Sequence, residues 1–227
     1  MPLDLGHRPA LGREDFLVAA SNQEAVGFLD LWPQWPARGL IIHGPEACGK
    51  THLAQVWRAR SGAVEIEPGA LSREAPALLG EARHAVVEGL GPGIPERGLL
   101  HLYNYLTSQG GTLLLTAATP PVRWGVELPD LRSRLLALPA VAVGSPDEAL
   151  IEAVMVKQFA DRQVRVAPEV LAFLVPRLER SLATVRRVVT ALDGAALAQR
   201  RAITVPLARE VLHRLGISES GPVPPEA

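Results

Sequence analysis

Gly39-Leu40-Ile41-Ile42-His43-Gly44-Pro45-Glu46-Ala47-Cys48-Gly49-Lys50-Thr51-His52 decides how this chain folds. Its apolar opening, Gly39 to His43, reads as a buried strand, and Thr51-His52-Leu53-Ala54-Gln55-Val56-Trp57-Arg58 reads as a helix. Between them, Gly44 to Thr51 fits the phosphate-loop pattern G-x-x-x-x-G-K-[ST]. Glycines let the backbone wrap closely around a phosphate, while successive N–H groups and the helix N-terminus point at the anion. Lys50 adds a compact positive charge, and the Thr51 hydroxyl suits Mg2+. Gly44, Pro45, Glu46, Ala47, Cys48, Gly49, Lys50, Thr51 and His52 are therefore the first candidate nucleotide-binding residues. The alternative, a glycine turn that happens to precede a helix, is weakened by composition: only two of the 23 basic residues are lysines, and one of them is Lys50.

Outward from this loop, short apolar runs alternate with helical stretches. The runs are Leu40 to Ile42, Ala63 to Ile66, Ala85 to Val87, Leu113 to Thr116 and Val141 to Val143. Each is continuously apolar rather than two-faced, which indicates an α/β core with a mainly parallel sheet covered on both sides, spanning 39–144. Residues 1–38 read as an irregular lead-in, with a short helix from Gln23 to Leu31 and a proline-rich patch, Leu31-Trp32-Pro33-Gln34-Trp35-Pro36. After Gly144 the pattern is helical only. Ser145-Pro146-Asp147-Glu148 reads as a capping box opening a helix to about Gln163, and Pro168, Ser181 and Pro206 open three more. This predicts a helical lid over 145–215. The remaining tail, 216–227, lacks apolar periodicity and is expected to be disordered.

With 227 residues and 48% hydrophobic content, the chain can bury a sizeable core. A net charge of -1 gives no overall attraction to nucleic acid, so strong autonomous DNA binding is not expected. One cysteine excludes an intramolecular disulfide. No apolar stretch approaches the ~20 residues that span a bilayer, and the cytoplasm is the expected compartment. The six histidines show no metal-ligand spacing. His43 reads as a packed residue, and Cys48 as a small filler in the loop.

An α/β nucleotide core followed by a helical lid is the AAA+ arrangement of P-loop NTPases. Smaller motifs in the same order resemble the DnaA/Hda family of bacterial replication-initiation proteins, nearest its Hda branch. Asp15-Phe16-Leu17-Val18-Ala19-Ala20-Ser21-Asn22-Gln23 is similar to the family's adenine-cradling box, which implies nucleotide contacts at Phe16, Val18 and Asn22. Leu102-Tyr103-Asn104 is similar to a helix motif of the group, and Thr116-Ala117-Ala118-Thr119-Pro120-Pro121 falls where its sensor 1 lies. Leu128-Pro129-Asp130-Leu131-Arg132-Ser133-Arg134-Leu135 is close to its arginine-finger box. The resemblance implies that Arg134 is a catalytic finger acting in trans on another subunit's γ-phosphate, and that Arg180 is the lid arginine that reads phosphates. A surface arginine at a helix start, and an arginine left structural while the neighbouring Glu179 pairs elsewhere, are the respective alternatives.

Two departures bear on activity. The Ala85-Val86-Val87 strand is followed by Glu88 and Gly89: Glu88, with Thr51, can hold Mg2+, but Gly89 cannot activate water. Sensor 1 carries Ala118 where a polar residue is expected. Both changes remove transition-state stabilisation without removing phosphate binding, so the chain is expected to bind ADP or ATP with Mg2+ but not to be an efficient ATPase. The resemblance further implies DnaA and the replication sliding clamp as partners, with a homodimer left open. Of the N-terminal clamp-binding peptide, only Pro2-Leu3-Asp4-Leu5 is present. No DNA-reading helix-turn-helix follows the predicted lid, so a complete initiator is not expected. The implied role is a regulator that inactivates DnaA by stimulating hydrolysis of its ATP. A small P-loop kinase or a replication-protein loader are the alternatives.

Overall fold

The computed structural model describes residues 17–72 and 74–218, and in it the apolar runs become five strands. These are β1 (Gly39–His43), β2 (Val64–Glu65), β3 (His84–Leu90), β4 (Thr112–Ala117) and β5 (Ala140–Ala142). They form one sheet in the order β2-β3-β4-β1-β5, with every pairing parallel. On one side β1 pairs with β4 from Gly39↔Leu113 to His43↔Ala117; on the other, Ile41 to His43 pair with Ala140 to Ala142.

Strand periodicity of two explains why the runs contain so few polar residues. Ile41, Val87, Leu113 and Leu115 share a core with Leu99, Leu102 and Leu106 of α3 (Glu96–Ser108) and with Leu131 and Leu135 of α4 (Pro129–Ala137). The alternate residues Leu40, Ile42, Val86 and Leu114 are also fully buried. On their side, α2 (Lys50–Ser61) packs against β3 and β4, and α1 (Gln23–Leu31) against β5. With both faces covered, neither set of alternate positions tolerates polarity.

The lead-in is more ordered than its proline content suggests. From residue 17 onward it folds into the α/β unit. Ala25, Val26 and Leu29 bury one face of α1. Trp35 is buried and stacks on Trp57 of α2 at 5.3 Å, and its indole N–H donates to the Phe28 carbonyl at 2.6 Å. The Trp32–Pro33 peptide is cis. Apolar area on large aromatic rings outweighs the loss of regular backbone hydrogen bonds at the prolines.

Trp32 also reaches the start of the sheet. Its indole N–H donates to Thr112 Oγ1 at 3.2 Å, and the same hydroxyl lies 2.8 Å from His84 Nδ1. An indole only donates, so the threonine proton is available to an unprotonated imidazole nitrogen. The His84 ring meets Trp32 and Trp57 edge-on at 5.3 and 6.2 Å. Burial among these rings, reinforced by the neighbouring Arg83 charge, holds the His84 pKa below its ordinary value.

By contact, one compact unit takes in this segment through Pro45 and Gly49–Gly144, and a second takes in Glu46–Cys48 and the chain from Ser145 on. The second unit contains α5 (Glu148–Asp161), α6 (Pro168–Leu174), α7 (Leu182–Gln199) and α8 (Val205–Arg214). Its core joins Ile151, Met155 and Phe159 of α5 to Val185, Val188 and Leu192 of α7 and to Leu207 and Val211 of α8. Ser181 caps α7, its Oγ accepting from the Thr184 N–H at 3.2 Å. At α5 the expected cap is displaced. Asp147, not Ser145, is the N-cap, accepting from the Leu150 N–H at 2.8 Å, because the ionised carboxylate is the stronger acceptor at a helix N-terminus. At the C-terminal end, Gly216 takes φ +71° and the Ile217 N–H returns to the Leu212 carbonyl at 3.0 Å. Ile217 packs against the helical core, so the structured chain passes the expected tail boundary at 216.

The His84 environment makes stability pH-dependent with a definite sign. Its folded pKa lies below the unfolded value of about 6.5, so the unfolded chain binds the proton more readily. This contribution is complete above the unfolded pKa and is lost as pH falls below it. Thermal unfolding at about pH 7.5 and about pH 5.5 should show a drop in midpoint that is smaller in His84→Gln than in wild type. Equal drops in the two proteins would place the sensitivity elsewhere.

Candidate functional site

β1 delivers its last residue, His43, to the carboxyl edge of the sheet, and the chain then turns through a sequence of unusual dihedrals. Gly44 (φ 156°) and Ala47 (φ 55°) bend the loop, and Gly49 at φ 111° is the N-cap of α2. A side chain at Gly49 would strain that turn. The cap is a glycine and makes no side-chain cap hydrogen bond, and a helix N-terminus of this kind points backbone N–H groups at an anion.

Lys50 is the first residue of α2. Its Nζ donates to the carbonyls of Gly44 at 2.8 Å and Pro45 at 2.6 Å, so the ammonium holds the loop closed around its own charge. The neighbouring His43 is held below its ordinary pKa mainly by burial, with Glu24 opposing and Lys50 reinforcing, which fits a packed imidazole. Cys48 is buried, as expected of a filler. His52, on the first turn of α2, is half-buried.

Thr51 and Glu88 come together across the sheet edge. Burial raises the Glu88 pKa, while a hydrogen bond from the Thr51 side chain pulls it down; Glu65 and Glu67 raise it further and Arg58 lowers it. A hydroxyl beside a half-buried carboxylate is a hard oxygen pair suited to Mg2+ that also takes phosphate oxygens. Among the described residues no cluster of three or more His, Cys, Asp or Glu could hold a metal by itself. A cation here would take its remaining ligands from water or phosphate oxygens.

Beyond Glu88 the β3–β4 register shifts between Val87 and Leu90. Gly89 sits in this irregularity at φ +73°, and its N–H donates to Thr116 Oγ1 at 3.2 Å. A position that demands left-handed backbone and has no side chain can offer no base to water. Ala118, one residue beyond β4, is exposed and apolar.

The adenine-box segment is anchored rather than open. Asn22 is buried, its Nδ2 donating to the Leu17 carbonyl at 3.0 Å and its Oδ1 accepting from the Ala19 N–H at 2.9 Å. The asparagine thus shapes its own turn with both polar atoms. Ser21 accepts from the Gly144 N–H at 2.8 Å, and Val18 is 53% exposed, a free apolar surface at this turn. Phe16 and the Pro2-Leu3-Asp4-Leu5 segment lie outside the described residues.

The two arginines differ in their surroundings. Arg134 lies on α4, with Nε 2.9 Å from Asp130 Oδ1, Nη2 3.5 Å from Oδ2, and its guanidinium 5.7 Å from the Tyr103 ring centroid. Arg132 is exposed on another side of the helix, while Leu131 and Leu135 are buried. Arg180, in the second unit, is exposed and pairs with Glu148 at 3.6 Å, whereas Glu179 accepts from the Thr184 hydroxyl at 3.5 Å. An exposed pair of this kind contributes at most about 1 kcal/mol, leaving Arg180 able to exchange partners.

A surface cavity of about 540 Å³ lies away from the phosphate loop, where Leu71, Ser72, Glu96, Gly98, Leu128 and Pro129 meet at the starts of α3 and α4. Sequence reading missed Glu96, Asp130 and Tyr103 as partners of the arginine box. Only Asp130, four residues before Arg134 on one helix, carries a sequence signal.

Residues 147–212 match the family model described as Hda, lid domain. Domain III of the Thermotoga maritima replication initiation protein DnaA superposes with a TM-score of 0.77 at 19% identity, covering 91% of this chain and 97% of that one. AMPPCP-bound DnaA from Aquifex aeolicus gives 0.66 at 15% identity, covering 86% and 70% of the two chains. A Thermotoga maritima RuvB variant gives 0.73 at 12%, covering 91% and 73%. The sheet and its helices therefore have the AAA+ fold.

The lid-domain match covers 147–212, and the fold of the whole is similar to that of DnaA domain III. A curated relative, an uncharacterized protein of Haemophilus influenzae, is 32% identical over 120 residues. That match spans about half the length of each protein, 52% of both.

The Gly89 hydrogen bond ties the acidic-strand end to the sensor 1 segment. Thr116→Val keeps the side-chain volume but removes the acceptor beside a part-buried N–H. Urea unfolding should show a loss of about 1–3 kcal/mol. No change in midpoint would mean that water replaces the threonine oxygen.

Proposed function

We propose that this protein is an adenine-nucleotide-binding regulator of replication initiation that inactivates DnaA by stimulating hydrolysis of DnaA-bound ATP. In this reading Gly44 to His52 hold the phosphates of ADP or ATP. Val18, Asn22 and Phe16 form the adenine side, Arg180 reads the phosphates from the lid, and Thr51 and Glu88 complete a Mg2+ site. Gly89 and Ala118 keep intrinsic turnover low. The site of action is the cytoplasm, in keeping with the fact that no helix among the described residues is long and apolar enough to cross a membrane. Separate lead-in, core, lid and tail segments, at 1–38, 39–144, 145–215 and 216–227, would divide these tasks.

The observation that carries the proposal is the placement of Arg134. Its side chain is 38% exposed, and its guanidinium is braced along one edge by Asp130 and from one side by Tyr103, which leaves the remaining donors of the fork for a phosphate of another subunit. Such a finger contributes ~10³-fold or more to a partner's hydrolysis rate. The sliding clamp, reached through the Pro2-Leu3-Asp4-Leu5 region, would bring the protein to newly replicated DNA.

Two measurements test the reading. Fluorescent ADP and ATP should bind wild type at least ~10-fold more tightly than Lys50→Ala, and the protein alone should turn over ATP far more slowly than ~1 per second. Equal affinities would remove the nucleotide site. DnaA-ATP mixed with wild type, Arg132→Ala or Arg134→Ala, with clamp loaded on DNA, should convert to ADP in all but the Arg134 variant, which should retain nucleotide binding. Full stimulation by Arg134→Ala would overturn the trans finger.

A further inference from the structure

The arginine box begins poorly capped. The N-cap of α4, Leu128, has no polar side chain, and Pro129 at the first helical position has no N–H. The two amides just upstream, Glu127 and Leu128, would be left without partners by the helix itself. Both donate to a single carboxylate, Glu96: the Glu127 N–H to Oε1 at 2.8 Å and the Leu128 N–H to Oε2 at 2.6 Å. These are charge-assisted bonds to both oxygens of one ion, which fix orientation as well as distance.

Glu96 is the first residue of α3, 32 positions before Leu128. Seven residues further along α3 stands Tyr103, whose ring carries the Arg134 guanidinium. Seven residues are nearly two turns, so Glu96 and Tyr103 lie on one stripe of α3, about 10 Å apart along its axis. That stripe touches α4 at both ends of the arginine box: the backbone entering it at 127–128 and the guanidinium leaving it at 134. Leu131 and Leu135, buried in the same core as Leu99, Leu102 and Leu106, fill the space between.

We propose that Glu96 is a positioning residue for Arg134, holding the start of α4 so that the guanidinium is presented at a fixed place on Tyr103. The proposal rests on the trans role given to Arg134 for its consequence in catalysis, but not for its structural content. Asp130 restrains the side chain from its own helix; Glu96 restrains the helix.

The test uses Glu96→Ala, Glu96→Gln, Arg134→Ala and the Glu96→Ala/Arg134→Ala double variant. Amide hydrogen exchange on the protein alone should show Leu131 to Leu135 exchanging about 10-fold faster in Glu96→Ala, with the α2 amides and ADP affinity unchanged. In the DnaA-ATP assay, Glu96→Ala should lower the maximal stimulation about 10-fold, with the DnaA concentration for half-maximal effect altered less than about twofold. Glu96→Gln, whose amide oxygen can accept one of the two N–H groups, should fall between Glu96→Ala and wild type. The double variant should match Arg134→Ala alone, because a group that acts only through Arg134 loses nothing further once the arginine is gone.

Unchanged α4 exchange, full stimulation by Glu96→Ala, or a further loss in the double variant each overturns the positioning role. Faster α4 exchange in Glu96→Ala, together with full stimulation by Arg134→Ala, would support the positioning of α4 and remove the trans reading instead.

Discussion

The exit of β1 from the middle of a sheet buried on both faces is the constraint on which the rest of this structure turns. β1 is flanked by β4 and β5, and its interior residues have no solvent contact. The chain can become polar only past the carboxyl edge, and there it must reverse into α2 within a few residues. Gly49, in left-handed backbone, makes that reversal at the N-terminus of α2, while Lys50 closes the loop on its own carbonyls. The site follows from the topology: backbone donors and charge collect where a doubly covered strand ends.

The residues beside the loop place an oxygen pair next to a glycine held in left-handed backbone. Thr51 and Glu88 meet at the sheet edge, and burial has shifted the carboxyl toward its neutral form, which a divalent cation would reverse. One position later the backbone needs a glycine, and its N–H is bound to Thr116. A carboxylate at residue 89 would have to adopt a conformation that L-residues rarely take.

Arginine placement shows the same dependence on surroundings. Arg134 is braced by a carboxylate and a ring, and α4 is itself tied to α3 through Glu96. Arg180 has only an exposed pair with Glu148. A guanidinium with restrained torsions reaches a charged target with less entropy to lose, whereas a loosely paired one can follow a moving ligand. The two arginines therefore differ in how far their torsions are restrained.

Much of the fold was legible locally. The five strands appeared as apolar runs, α1 was bounded correctly at Gln23 and Leu31, and Pro168 and Ser181 marked α6 and α7, because periodicity, caps and proline act over a few residues. The strand, loop and helix from Gly39 to Ser61 were readable for the same reason. Tertiary structure decided what depends on distant partners. It joined Trp32 to Thr112 across 80 residues, carried Glu96 to the amides of Glu127 and Leu128, and placed Tyr103 beneath Arg134. It also chose Asp147 over Ser145 at α5 and turned both polar atoms of Asn22 inward. Residue types declare which bonds a side chain can make; only the packed sheet and helices determine which partner is within about 3 Å to make them.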